Sequence, residues 1–99
     1  MKEVTWSEAN SDLSNAVIYV SAPWCGPCKT VSPFIEAAET EMSASIMKVN
    51  ADECLPEVKG LGVREVPTLL MFKDNKLVSL VSSLSKKSPA ELKELLIKF

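Results

Sequence analysis

Apolar positions along the chain follow two rhythms, and their alternation sets out the elements. Ala16-Val17-Ile18-Tyr19-Val20-Ser21 is a β-branched and aromatic run with no charged interruption, which reads as a central strand buried on both faces. Ser45 to Asn50 reads as a further strand, and so does Thr68 to Lys73 after Pro67. Asp74-Asn75 suits a tight turn with positive φ, so Lys76 to Val81 is expected to return as the antiparallel arm of a hairpin. A short opening strand is placed at Glu3 to Trp6.

Helical spacing fills the intervals. Ser7 is expected to cap a weak helix running towards Leu13, with Glu8 in its first turn. From Cys25 to about Met42, Val31, Phe34, Ile35, Ala38 and Met42 share one face, and Pro33 should kink that helix. Glu53 to Lys59 predicts a short helix closed by Gly60 and Gly62. Ser88-Pro89-Ala90-Glu91 combines a Ser cap, a first-position Pro and a third-position Glu, starting a helix to Ile97 with Leu92, Leu95 and Leu96 inward. The order β-α-β-α-β-α-β-β-α contains no repeat. It predicts a three-layer α/β domain, with helices on both faces of the sheet and a hairpin at one edge.

Composition narrows the function classes. At 99 residues, with 46% hydrophobic and 24% charged, the chain is expected to be one folded unit over 1–99, neither disordered nor membrane-embedded. A formal net charge of −2 offers no basic footprint for nucleic acid. Residues 1 to 15 are largely polar and do not read as a secretory signal, and the apolar run Val66 to Phe72 has the length of a strand. A cytoplasmic monomer is the expectation.

The chemistry rests on cysteine spacing. Cys25 and Cys28 are three residues apart at a predicted helix start, so their side chains share a face within disulfide reach. Unpaired N–H groups and the positive helix end stabilise a thiolate at Cys25, lowering its pKa below the ordinary thiol value and making it the expected nucleophile. Cys28, one turn inside and expected to be less exposed, suits the resolving role. A zinc site needs about four ligands, and the chain has no histidine and one further cysteine, Cys54. No metal is expected.

The segment Trp24-Cys25-Gly26-Pro27-Cys28-Lys29 is the active-site motif of the thioredoxin family, and the chain resembles that family over nearly its whole length. Val66-Pro67-Thr68 stands where the family carries a cis-proline, and Pro33 where its second helix is kinked. The resemblance implies the thioredoxin fold, a central mixed sheet of about five strands with about four helices, and a redox-active Cys25–Cys28 disulfide. It also implies a protein-disulfide reductase without a cofactor, recycled by a thioredoxin reductase. Trp24 reads either as a core aromatic or as part of the docking rim, and the resemblance favours the rim. A cis bond at Pro67 would leave the Val66 backbone open to pair with an extended substrate segment.

Three positions depart from the family. Tyr19 stands where many members bury an aspartate that takes part in proton transfer with the resolving cysteine. A tyrosine cannot accept a proton at neutral pH as a carboxylate can. Lys48, the usual partner of that aspartate, would turn to solvent or donate to the Tyr19 hydroxyl. Ser82 replaces a glycine that lets substrate backbone approach, which narrows the range of partners. Asn75 replaces a turn glycine, a mild change. Cys54 reads as a packed thiol, with oxidative regulation left open. A binding subunit of a larger complex with secondary redox activity is the alternative function, and a disulfide oxidase would need an oxidising compartment.

Overall fold

A computed structural model describes residues 1–99. Its elements are β1 (Lys2–Glu3), α1 (Trp6–Ala9), β2 (Asn15–Ser21), α2 (Gly26–Glu39), β3 (Ile46–Asn50), α3 (Leu55–Gly60), β4 (Thr68–Lys73), β5 (Lys76–Val81) and α4 (Pro89–Ile97), joined in part by the 3-10 turns Ala51–Glu53 and Leu84–Lys86. The order is the one that the periodicity predicts. The strands form a single mixed sheet in the order β1-β3-β2-β4-β5, with β1, β3 and β2 parallel and β4 and β5 antiparallel.

The apolar run of β2 lies at the centre because it can fill two cores at once. Ala16, Ile18 and Val20 join Ala9, Val49, Val58 and Leu70 on one face. Val17 and Tyr19 join Ile35, Leu69, Leu92 and Leu96, from β4, α2 and α4, on the other. Successive side chains of a strand point to opposite faces, so a strand covered on both sides loses the apolar–polar alternation of a half-exposed one. The β4–β5 turn has positive φ at both Asp74 (54°) and Asn75 (63°), the combination required by a type I′ hairpin.

Several boundaries differ from expectation. The cap of α1 is Thr5, whose Oγ1 accepts the Glu8 N–H at 3.2 Å while the Glu8 carboxylate accepts the Thr5 N–H at 3.0 Å. Only a hydroxyl three residues before Glu8 can close this reciprocal box, and Ser7 is adjacent to it. Trp6 therefore lies in the helix, and β1 is shorter than predicted. In α2, Val31, Ile35 and Ala38 are buried, but Phe34 is 41% exposed and lies off the inward stripe. The helix stops at Glu39, before Met42. Glu53 lies in the 3-10 turn, and α3 starts at Leu55. Gly60 is the last residue of α3, and Gly62, at φ +102°, ends it. There the Gly62 N–H donates to the Lys59 carbonyl and the Val63 N–H to the Val58 carbonyl, both at 3.0 Å, a Schellman closure.

Glu39 ties the end of α2 to the sheet. Its carboxylate accepts the Met1 amino group at 2.6 Å and the Ile46 N–H at 2.7 Å. Burial pushes its pKa up, but these two hydrogen bonds and the positive charge outweigh burial and leave it below the usual value. A depressed folded-state pKa contributes stability that is complete above the unfolded-state value and is lost as pH falls through the folded one. Glu39→Gln is therefore expected to cost about 1 kcal/mol near neutrality and less as the medium turns acid. Urea melts of the two proteins at pH 7 and pH 3 check this.

Candidate active site

The site begins where β2 ends. Ala22 to Trp24 carry the chain off Ser21, and the Cys25 N–H donates to the Ala22 carbonyl at 3.1 Å, closing the turn that starts α2. Pro27 suits the first turn, where its missing N–H would have had no partner within the helix. Cys25 is thereby the N-cap of α2. Its backbone is extended (φ −82°, ψ 108°), and its Sγ accepts the Cys28 N–H at 3.1 Å. A sulfur in that position meets an amide hydrogen and the positive end of a helix, both of which favour the thiolate once the pair is reduced.

Cys25 and Cys28 are joined as a disulfide, with Cα atoms 5.3 Å apart. Cys25 is 2% exposed and Cys28 4%, so the expected difference in exposure is absent. Ala22 forms a small buried cluster with the two cysteines, and Val66 packs against that cluster. What separates the two sulfurs is position at the helix end, since only Cys25 caps it.

Val66 reaches the cysteines from a segment 38 residues further on than Cys28 (66 − 28). The Val66–Pro67 bond is cis, Pro67 and Thr68 are buried, and the Thr68 hydroxyl donates to the Glu65 carbonyl at 2.7 Å. Around the pair, Gly26, Pro27 and Lys29 are exposed at the start of α2. Trp24 is 69% exposed, and its indole N–H points between the two carboxylate oxygens of Asp52 at 2.9 and 3.1 Å. Asp52 escaped the sequence reading. Its local signal is an Asn50 side chain that caps the 3-10 turn by accepting the Asp52 N–H at 3.0 Å, which fixes where the carboxylate stands. Ser82, half-buried, follows β5.

Tyr19 is fully buried beneath the site. Its hydroxyl lies 3.0 Å from Ser32 Oγ and 3.3 Å from the Cys28 carbonyl oxygen, and Ser32 Oγ donates to that same carbonyl at 2.6 Å. Burial raises the Tyr19 pKa and the Ser32 hydrogen bond only partly offsets it, so the phenol stays neutral and offers no base. Lys48 does not donate to Tyr19, although the two are register partners on adjacent strands. Ser32 takes that place, because it lies one helical turn beyond Cys28. Lys48 instead lines a polar cleft of about 290 Å³ with Cys28, Lys29, Ser32, Asn50 and Glu3.

Cys54 is buried, and its Sγ donates to the Asn50 carbonyl at 3.3 Å. Burial, then the charges of Glu57 and Glu53, push its pKa up and hold it as a thiol. No helix is long and apolar enough to cross a membrane.

The family model for thioredoxin matches residues 2–98. The chain is 37% identical over 90 residues to a thioredoxin of Chlamydia caviae, spanning 88% of each chain. It is 39% identical over 93 residues to a thioredoxin of Bacillus subtilis, spanning 90% of this chain and 88% of the relative. Among solved structures, a Plasmodium falciparum thioredoxin superposes with a TM-score of 0.83 at 27% identity, over 100% of this chain and 98% of that one.

Proposed function

This chain belongs to the thioredoxin family of disulfide oxidoreductases, and from that premise we propose how its residues divide the work of reducing a protein disulfide. The observation that carries the proposal is the Cys25 sulfur at the cap of α2, accepting the Cys28 N–H. In the reduced pair, the Cys25 thiolate attacks one sulfur of the substrate disulfide. That S–S bond breaks, one substrate sulfur leaves as a thiolate, and a mixed disulfide forms. Cys28 then attacks Cys25 Sγ, the second substrate sulfur leaves, and the Cys25–Cys28 disulfide closes. Two electrons have passed to the substrate without a cofactor.

The exposed Trp24, Gly26 and Pro27, together with Val66 and Ser82, form the docking rim. An extended substrate segment pairs with the backbone of Val66, the residue that packs against the cysteine cluster. The proton of Cys28 leaves to water in the cleft it shares with Lys29 and Lys48, or to the departing thiolate, since Tyr19 is neutral and already bonded to Ser32. We place the protein in the cytoplasm as a monomeric unit of residues 1–99. A thioredoxin reductase reopens its disulfide. An intact cysteine pair at a helix cap favours this reading over a purely binding subunit.

Two measurements test it. The protein should accelerate insulin reduction above the rate with dithiothreitol alone. Its reduction potential should lie near that of thioredoxins, about −270 mV, rather than near about −120 mV, the range of a strong oxidant. A value in the oxidant range would sink the reductase reading.

A further inference from the structure

Ser83 is one of three non-glycine residues with positive φ, and the other two form the β4–β5 turn. It sits at φ 54°, ψ 39°, a left-handed conformation that a serine adopts only when its surroundings require it. Glu65 supplies that requirement. One oxygen, Oε1, accepts the Ser83 N–H at 2.9 Å and the Ser83 hydroxyl at 3.1 Å. The main chain of Glu65 is held as well, because its carbonyl accepts the Thr68 hydroxyl at 2.7 Å.

The two residues this bond joins are 18 apart in sequence and flank the docking rim. Leu69 pairs with Val81 at the end of the β4–β5 ladder, so the segment before β4 and the segment after β5 leave the sheet at the same end. Val66 and cis-Pro67 follow Glu65 directly, and Ser82 precedes Ser83. We propose that Glu65 is a positioning residue for substrate, clasping the Ser82-Ser83 turn to the Val66-Pro67 segment and so fixing the spacing of the two segments between which an extended substrate strand docks. The proposal rests on the docking mode described above and adds the device that holds its two walls together.

Without the clasp, Ser83 relaxes towards ordinary backbone and Ser82 drifts from the Val66 edge, while the cysteine pair stays untouched. Binding weakens and the exchange step does not. The test is steady-state insulin reduction by the parent, Glu65→Ala and Glu65→Gln, with Cys25→Ser as blank, together with hydrogen exchange of the Ser83 amide. Glu65→Ala should raise KM about three- to tenfold with kcat within about twofold, as expected for the loss of a modest hydrogen-bonded contact. Ser83 amide exchange should quicken by about tenfold in the same variant. Glu65→Gln keeps an oxygen that accepts both bonds and should behave as the parent.

An unchanged KM in Glu65→Ala overturns the proposal, whether or not Ser83 exchange quickens. So does a Gln variant as impaired as Ala, which would assign the effect to charge. A parent no faster than Cys25→Ser overturns the redox reading along with the clasp, whereas a normal parent with an unaffected Ala variant overturns the clasp alone.

Discussion

Cys25→Ser is expected to reduce insulin no faster than dithiothreitol alone, a loss of about a thousandfold or more, while Cys28→Ser accumulates a covalent adduct with its substrate. The two outcomes differ because the two sulfurs hold different places on one helix. Cys25 caps α2 and accepts the Cys28 N–H, so it is the sulfur whose thiolate the backbone stabilises. A serine there offers a hydroxyl that stays protonated at neutral pH, and no first bond forms. With Cys28 replaced, the first bond still forms, but the release that an adjacent thiol performs at very high effective concentration must wait for an external dithiol. Non-reducing gels and mass spectrometry of the Cys28→Ser reaction read the adduct directly. Equal trapping by Cys25→Ser would refute the division of roles, and trapping by Cys25→Ser alone would reverse it.

Tyr19→Asp should lower the melting temperature by about 12–40 °C at pH 7. The tyrosine is fully buried among Val31, Ile35, Leu69 and their neighbours. Emptying the space of an aromatic ring costs about 3–5 kcal/mol, and each kcal/mol moves the melting temperature of a domain this size by about 4–8 °C. The carboxylate adds desolvation, because the Tyr19 position is fully buried and the hydroxyl there is bonded to Ser32 and the Cys28 carbonyl rather than to a cation. A negative charge there should also raise the Cys25 pKa, read by thiolate absorbance against pH. Calorimetry showing a variant as stable as the parent, or a titration showing no change or a fall at Cys25, would refute the corresponding half. Tyr19→Phe isolates the hydroxyl and should cost about 1 kcal/mol.

Legibility followed distance along the chain. The β2 run, the Asp74-Asn75 turn and the Ser88 to Glu91 start of α4 were legible because each depends on backbone geometry within a few residues. Thr5 was missed in favour of Ser7 although the signal was local, since its spacing to Glu8 singles it out. Phe34 was assigned inward because a stripe of helical period is wide enough to admit one residue at its margin. Glu65 carries no periodicity or motif of its own, and the local cues at Asp52 and Ser32 name no partner; chain packing brings each of the three to the residue it bonds.

The order of elements, the sheet's central strand and the chemistry of a cysteine pair three residues apart at a helix start all follow from the linear chain. Those are properties of neighbouring residues, and neighbours are bound to meet. The surroundings of that pair come from the folded chain. Folding covers Cys25 as fully as Cys28, turns Tyr19 to Ser32 rather than Lys48, aims Trp24 at Asp52 and ties Glu65 to Ser83. Each of these contacts joins residues that only packing of the sheet and helices brings together, and a hydrogen bond between distant segments leaves no mark on the spacing of either partner.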